Sequence, residues 1–188
     1  MKTIDSFTES YRFLSNFYPA HVRFDGGTCP TVEHAYQASK TLDHDEQKTI
    51  IAADGPALAK KLGQLVKQRP HWDEIKFDIM HRLVQEKFTN PLLREWLLST
   101  RNAILIEGNT WNDRVWGVCK GKGQNWLGKI LMIVRREAWY EELKAVAIRE
   151  YDFTAEAAQT LDRAAYLDSY YFHGELPSEA LSEDFSNA

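Results

Sequence analysis

The sequence has few cysteines and no long apolar run. Its 188 residues contain two cysteines, Cys29 and Cys119, too few for a disulfide framework and not spaced with any of the six histidines as a zinc site. We therefore expect two reduced thiols and no metal requirement. No stretch approaches the roughly 18 apolar residues of a membrane span, and the first ten residues lack the apolar core of a signal peptide. These absences predict a cytoplasmic protein without membrane contact.

A concentrated basic stripe is also missing. The net charge is −4, but residues 150–188 hold nine acidic side chains against one arginine, so that this end carries −8 and the first 149 residues carry +4. A mildly basic body suits a small anionic ligand better than a nucleic-acid track, which needs dense positive charge. An incidental drift of surface charge along the chain explains the asymmetry equally well.

Helical periodicity dominates the chain, and the signals for strands are few and short. Apolar residues recur with a period near 3.6 between Trp72 and Phe88, which predicts a long helix. Shorter helices are predicted at 43–53, 56–65 and 92–98, and a short strand at 103–106. We therefore expect an α+β fold, a mainly α-helical single domain with a small β-hairpin and short strands.

The hairpin and the helix that follows it lie within residues 13–40. Apolar residues on both sides of the turn sequence at 25–28 predict two short strands near residues 21–30. Pro30 ends the second strand, and Thr31 is a suitable N-cap for a helix from Val32 to about Lys40. This segment therefore places a helix start directly after a tight hairpin.

One face of that helix is polar and aromatic. Glu33, Tyr36, Gln37 and Lys40 fall at i, i+3, i+4 and i+7 and so share a face. Glu33 lies in the first turn, where the helix dipole should lower the pKa of its carboxyl unless burial opposes it. Such a carboxylate suits a catalytic base or a charge stabiliser, although a glutamate at this position is also ordinary dipole complementarity.

A loop rich in Gly, Asn and Trp, residues 107–128, precedes a second long helix predicted from about Asn125 to Glu150. Within it, residues 123–129 match the start of a phosphate-binding P-loop, but Ile130 replaces the Ser or Thr that holds magnesium. This excludes an ATPase of that class. Two interpretations remain: a flexible solvated loop, or a phosphate site at 120–128 formed by N–H groups at the helix start and assisted by Lys40.

The last part of the chain is acidic. Thr154 is a plausible N-cap for a terminal helix reaching about Leu167, and residues 177–188 have the composition of a disordered acidic tail. We therefore divide the chain into a domain at 1–149 and an acidic C-terminal helical extension and tail at 150–188.

Several separated sequence blocks resemble one family. They occur in the order FLSNF at 13–17, PTVEHAYQASK at 30–40, Trp72, KF at 87–88, Leu105 with Glu107, DRVWG at 113–117, GQNWLG at 123–128 and LMIVR at 131–135. Together they resemble the YbiA-like family of small N-glycosidases, also called NADAR, over roughly residues 11–140. Cys119 departs from the family, which usually has a glycine after the Trp-Gly pair.

The resemblance implies a YbiA-like fold and hydrolysis of the bond between C1 of ribose and a nitrogen. The implied substrate is a small phosphorylated ribosyl compound, either a pyrimidine intermediate of riboflavin synthesis or ADP-ribose on a nucleic-acid base, with no cofactor. An oxocarbenium-like transition state needs a nearby carboxylate. The implied catalytic residues are Glu33, Asp113 and Glu107. The implied substrate-binding residues are Asn16, Phe17, Tyr36, Lys40, Trp72, Trp116, Gly117 and Asn125.

Simpler structural roles remain open for several of these residues. Asn16 either holds its turn or faces a ligand, Trp72 either lines the site or belongs to the core, and Asp113 is a common turn former. A different functional class is a non-catalytic nucleotide or ADP-ribose binding module with a partner-binding acidic extension. The presence of Glu33 favours the enzyme, because a binding module has no need of that carboxylate.

Overall fold

The structure, a computed structural model, describes residues 2–185. Its strands are β1 (Thr3–Ile4), β2 (Val22–Phe24), β3 (Gly27–Cys29), β4 (Ile104–Leu105), β5 (Gly108–Asn109) and β6 (Val118–Cys119). Its helices are α1 (Val32–Ala38), α2 (His44–Ile51), α3 (Pro56–Gly63), α4 (Trp72–Lys87), α5 (Pro91–Ser99), α6 (Trp126–Glu150), α7 (Ala155–Gln159), α8 (Arg163–His173) and α9 (Pro177–Phe185), and a 3-10 helix covers Glu9–Leu14. The predicted α+β fold, mainly helical with short strands, is confirmed.

The strands of the described chain form three separate pairs. β2 and β3 make the predicted antiparallel hairpin, with Val22 opposite Cys29 and Phe24 opposite Gly27. Asp25 and Gly26 connect them with φ values of 45° and 76°, the left-handed backbone that a two-residue hairpin turn needs. β1 pairs in parallel with β4, and β5 with β6. These two pairs hold the chain before and after residue 107.

The main apolar core surrounds α1. This helix packs against α2, α3, α4 and the hairpin, and all seven of its residues are buried. Its apolar residues Val32 and Ala35 join a cluster that extends through α4, α5 and the first half of α6. Because α1 is enclosed on several sides, its polar side chains face other protein groups or a cavity instead of bulk solvent.

A second apolar cluster joins the C-terminal extension to α6. It includes Trp139, Leu143 and Tyr170, together with Ala180 and Leu181 from α9. The prediction of a disordered tail is wrong for residues 177–185, because burial of Ala180 and Leu181 stabilises a helix there; residues 186–188 lie outside the described chain.

The single terminal helix predicted after the Thr154 cap is instead two helices, α7 and α8. Asp162 begins the second one by accepting the N–H groups of Ala164 and Ala165. The chain can therefore turn between the two helices while the first turn of α8 keeps its hydrogen bonds.

Both cysteines are buried and unpaired, which confirms the prediction of free thiols. Burial raises the pKa of Cys29 to about 11, so that its thiol stays protonated and unreactive at neutral pH. Within residues 2–185, no helix combines the length and the apolar character that crossing a membrane would require.

Candidate active site

A cavity of about 710 Å³ lies beside α1. Its wall is built by the segment from the 3-10 helix to residue 17, by α1, α3 and α4, and by the loop after β4. Nine of the eleven residues predicted for the site line it: Asn16, Phe17, Glu33, Tyr36, Lys40, Trp72, Glu107, Asp113 and Trp116. Residues separated by up to a hundred positions in sequence therefore meet at one concave surface, as expected for a ligand site.

Glu33 is held in place by the start of α1. The Thr31 side chain accepts the N–H of His34 at 3.3 Å, which confirms the predicted N-cap. The Glu33 N–H donates to the carbonyl of Asn16 at 3.1 Å, joining the helix to the preceding turn. The Glu33 side chain is only 6% exposed, and its Oε1 accepts a hydrogen bond of 2.7 Å from Gln37 Nε2.

The environment of Glu33 reverses the pKa expected from the helix dipole. Burial raises the pKa of its carboxyl above the ordinary value, and this effect exceeds the lowering caused by the Gln37 hydrogen bond and by the charges of Lys60 and Lys40. The lowered pKa was expected only if burial did not oppose the dipole, and here the desolvation that accompanies burial dominates. A carboxylate with a raised pKa is a stronger base than an exposed one.

Close packing of α3 against α1 fixes the side chain of Gln37, which donates a hydrogen bond to Glu33. A Cβ on Gly63 would overlap the side chain of Gln37, within 2.7 Å of its Cβ and 2.9 Å of its Cδ. The glycine thus allows α3 to lie against α1 while Gln37 keeps the rotamer that reaches Glu33. The Oε1 atom of Gln37 is buried without a hydrogen-bond partner, so the hydrogen bond from Nε2 to Glu33 is the one that this amide makes with its buried end.

Glu107 is a second buried acid in the same cavity. It follows β4, and its Oε2 atom is shielded from solvent without a hydrogen-bond partner. Burial, with a smaller effect from the charge of Asp113, raises the pKa of Glu107 to about 7, against an opposing effect from Lys87. A carboxyl group that holds its proton near neutral pH is suited to general acid catalysis.

Lys87 is buried at the end of α4, and the sequence reasoning did not select it as a site residue. Its Nζ donates to the carbonyl of Ser15 at 2.7 Å, and burial lowers its pKa to about 7. The sequence carries a signal for it: Lys87 continues the buried stripe of Met80, Leu83 and Val84 at helical spacing, where a charge is unexpected. Lys87 therefore fixes the turn that precedes Asn16.

Asn16 combines both of the roles considered for it. Its backbone carbonyl positions Glu33, while its side chain lines the cavity. Its Nδ2 donates to Met80 Sδ at 3.3 Å, and its Oδ1 is buried without a partner. Because an unpaired buried oxygen is costly, this atom is a candidate acceptor for a ligand hydroxyl.

Asp113 is both a turn former and a residue of the cavity wall. Its Oδ1 accepts the N–H groups of Val115 at 3.0 Å and Trp116 at 2.9 Å. Its backbone is fixed by two hydrogen bonds with the Asn109 side chain, of 2.7 and 3.0 Å. With Oδ1 engaged in the turn, Oδ2 is the atom through which Asp113 can meet a ligand.

Gly117 and Asn125 do not line the cavity, but both lie against Glu107. Asn125 Oδ1 accepts the Glu107 N–H at 3.0 Å, and its Nδ2 donates to the carbonyl of Leu105 at 2.9 Å. A Cβ on Gly117 would overlap the Glu107 backbone and lie 2.9 Å from its Cγ. These two residues therefore position the acid, and the geometry does not support the predicted direct substrate contact.

The aromatic wall of the cavity is formed by packed rings. Tyr36 lies 5.3 Å, centroid to centroid, from both Trp72 and Trp116, and Phe77 lies 5.4 Å from Trp116. Trp72 is 5% exposed, so it belongs to the core and to the cavity wall at once. These contacts, one edge-to-face and two tilted, keep the rings in fixed orientations against which a planar base can pack.

The structure contradicts the predicted phosphate site at the start of α6. The N–H groups of residues 124–127 donate to the carbonyls of residues 114–117, at 2.8 to 3.4 Å. These donors are therefore unavailable for an anion, and Leu127 is the residue of segment 120–128 that lines the cavity. Lys40 does line it, and so does Lys60 on α3, which the sequence reasoning did not select.

Among the described residues, no group of three or more His, Cys, Asp or Glu side chains is arranged to hold a metal ion. The acids that meet in the cavity are accompanied by lysines and amides instead. The arrangement offers a buried base, a buried acid, an acceptor for hydroxyls and an aromatic wall.

Known proteins resemble this chain in sequence and in fold. The NADAR domain matches residues 4–139. The chain is 36% identical to the Escherichia coli protein named N-glycosidase YbiA over 141 residues, covering 73% of this chain and 88% of that one. It is 38% identical over 133 residues to a Vibrio vulnificus riboflavin biosynthesis protein, covering 69% of this chain but 36% of that one. The NMR structure of E. coli YbiA matches with a TM-score of 0.68 at 35% identity, covering 76% of this chain and 89% of that one.

Proposed function

The chain belongs to the NADAR domain family, and from that premise we propose that it is an N-glycosidase that hydrolyses the bond between ribose C1 and nitrogen in a phosphorylated ribosyl-amine compound. The observation that carries the proposal is the Glu33 carboxylate, buried in the wall of a cavity large enough for such a molecule. Cleavage of this bond develops positive charge on C1 and the ring oxygen. A fixed carboxylate in a poorly solvated site stabilises that charge far better than water does.

In the proposed mechanism Glu33 is the ionised carboxylate that stabilises positive charge, and Glu107 is the general acid that donates a proton. Gln37 donates to Glu33, and the charges of Lys60 and Lys40 favour its ionised form, whereas the Oε2 of Glu107 has no donor nearby. When two acids share a cavity, the first proton leaves the one whose anion is better solvated by the protein. At neutral pH we therefore assign the negative charge to Glu33 and the retained proton to Glu107.

The proton of Glu107 then passes to the departing nitrogen as the C1–N bond breaks. Water attacks C1, forms the new C–O bond and gives its proton to Glu33. The net reaction yields the free base or amine and the ribose phosphate. In this mechanism Asp113 Oδ2 and Asn16 Oδ1 accept ribose hydroxyls, and the rings of Tyr36 and Trp116 enclose the reacting end.

Two substrate classes are compatible with the proposed chemistry: a pyrimidine intermediate of riboflavin synthesis, and ADP-ribose attached to a nucleobase. The first is supported by the relative named a riboflavin biosynthesis protein, of which this chain covers 36%. The second would use more of the 710 Å³ cavity. Both contain a phosphorylated ribose joined to nitrogen, so both use the same catalytic groups.

The direct test is to incubate purified protein with a panel of ribosyl-amine 5-phosphates and with ADP-ribosylated guanine, and to quantify the released base by chromatography. We expect release from at least one member, and its loss in the Glu33→Gln variant. The matched control is Glu95→Gln, which changes an exposed glutamate on α5. Tight binding of a panel member without any base release would instead favour a nucleotide-binding module.

A further inference from the structure

Trp111 is exposed at the edge of the cavity. It follows β5 in the loop after Glu107, lines the cavity and is 61% exposed. In the described chain, the ring of Trp96 pairs with Phe13, and Trp116 and Trp126 both pair with Phe77. The ring centroid of Trp111 lies 6.0 Å from the ammonium of Lys60. An indole that contributes so little to the core is available to stack on a ligand.

Lys60 connects Trp111 to the acids of the site. Its Nζ lies 6.0 Å from the ring centroid of Trp111 and 6.0 Å from that of Phe17. Lys60 lines the same cavity as Glu33 and Glu107, and its charge lowers the pKa of both carboxyl groups.

Lys60 and Lys40 form a pair of ammonium groups on one cavity. Neither lysine belongs to a salt bridge among the described residues. The charge of Lys60 lowers the pKa of Lys40. Two like charges without a close counter-ion favour the binding of an anion between them. This pair is therefore a candidate phosphate site in place of the start of α6.

We propose that Lys60 and Trp111 form a mouth subsite that binds the nucleotide part of a substrate, with a phosphate on Lys60 and an aromatic base stacked on Trp111. The inference rests on the proposed function, because it assumes that the ribose lies at Glu33. Gln64 and Gln68 also line the cavity and provide amides for the second sugar. A compact ribose phosphate would leave this subsite empty, whereas a nucleoside diphosphate linked to ribose would fill it.

The test compares the binding of ribose 5-phosphate and ADP-ribose, measured by calorimetry on four proteins. These are the parent and the variants Trp111→Ala, Trp111→Phe and Leu65→Ala. Leu65 is the control because it is 82% exposed and does not line the cavity. Melting temperatures of all variants are measured in parallel, and the exposure of Trp111 predicts little change.

We expect the parent to bind ADP-ribose more tightly than ribose 5-phosphate. Trp111→Ala should weaken ADP-ribose by about 5- to 100-fold, the usual effect of one base–aromatic stack, and ribose 5-phosphate by less than about twofold. Trp111→Phe should retain most of the difference, and Leu65→Ala all of it. Equal weakening of both ligands by Trp111→Ala, or no weakening of either, would overturn the subsite.

The outcome is separable from that of the proposed function. Base release from ribosyl-amine substrates is assayed on the same preparation of the parent protein. Release from a ribosyl-amine 5-phosphate, together with ADP-ribose binding no tighter than that of ribose 5-phosphate, keeps the N-glycosidase and refutes the mouth subsite. Selective binding of ADP-ribose through Trp111 without release from any substrate supports the subsite and contradicts the enzyme.

Discussion

Replacing Glu107 by glutamine tests the assignment of the acid. The shape of the side chain is kept, but the variant has no proton to give to the departing nitrogen. Because burial raises the pKa of Glu107 to about 7, kcat/KM of the parent should be high below that pH and fall about tenfold per pH unit above it. Glu107→Gln should lower the plateau by about 10² to 10⁴-fold and remove this alkaline limb.

The same shift predicts a change in stability. The pKa of Glu107 rises from 4.5 in the unfolded chain to about 7 in the fold, a difference that corresponds to up to about 3 kcal/mol. The folded protein binds this proton more tightly than the unfolded chain does. The contribution of Glu107 to the free energy of unfolding is therefore fully present below pH 4.5 and is lost as the pH rises through 7. Urea unfolding of the parent, compared with Glu107→Gln, should show this loss between those pH values.

Lys87 provides the discriminating variant, because its pKa also lies near 7. Its ammonium favours the ionised form of Glu107, so Lys87→Met should raise the pKa of Glu107 and move the alkaline limb to higher pH. If the limb stays near pH 7 in Glu107→Gln, the acid is a different group and the assignment fails.

Two further variants test the scaffold around Glu33 and the attachment of the C-terminal extension to α6. Gly63→Ala should displace Gln37 from Glu33 and lower kcat by about tenfold or more, as expected for a small misplacement of a catalytic group; an unchanged kcat in a folded variant would contradict this role. Tyr170→Phe removes the hydroxyl that accepts a 2.6 Å hydrogen bond from Arg135 Nε. It should cost about 1 to 3 kcal/mol of unfolding free energy in urea titrations, and a loss below about 0.5 kcal/mol would contradict that estimate.

The elements that local signals specify were predictable from the sequence. Thr31 caps α1 in the structure as predicted, and the turn at Asp25 closes the hairpin as its residue type indicates. Nine residues of the cavity wall were also identified, but through the family resemblance of separated blocks. Periodicity alone places Glu33 on a polar face and does not show that this face meets a cavity.

What the sequence could not provide depends on contacts between distant segments. The pKa of Glu107 is raised mainly by burial, against the lowering effect of Lys87, and no local pattern around Glu107 reports that burial. The N–H groups at the start of α6 are taken by the carbonyls of residues 114–117, so a glycine-rich helix start was misleading. Likewise, α9 is stabilised by packing Leu181 against the end of α6, which composition could not show.

The most direct test of the central claim is the kinetics of Glu33→Gln on the substrate that the panel identifies. The change keeps the shape of the side chain and removes the charge needed by the transition state, so kcat should fall by about 10² to 10³-fold or more. Binding of substrate should change far less, because the carboxylate acts mainly as positive charge develops. A folded Glu33→Gln variant with kcat within a few-fold of the parent, beside an inactive Asp113→Asn, would contradict the account and move the stabilising charge to the loop.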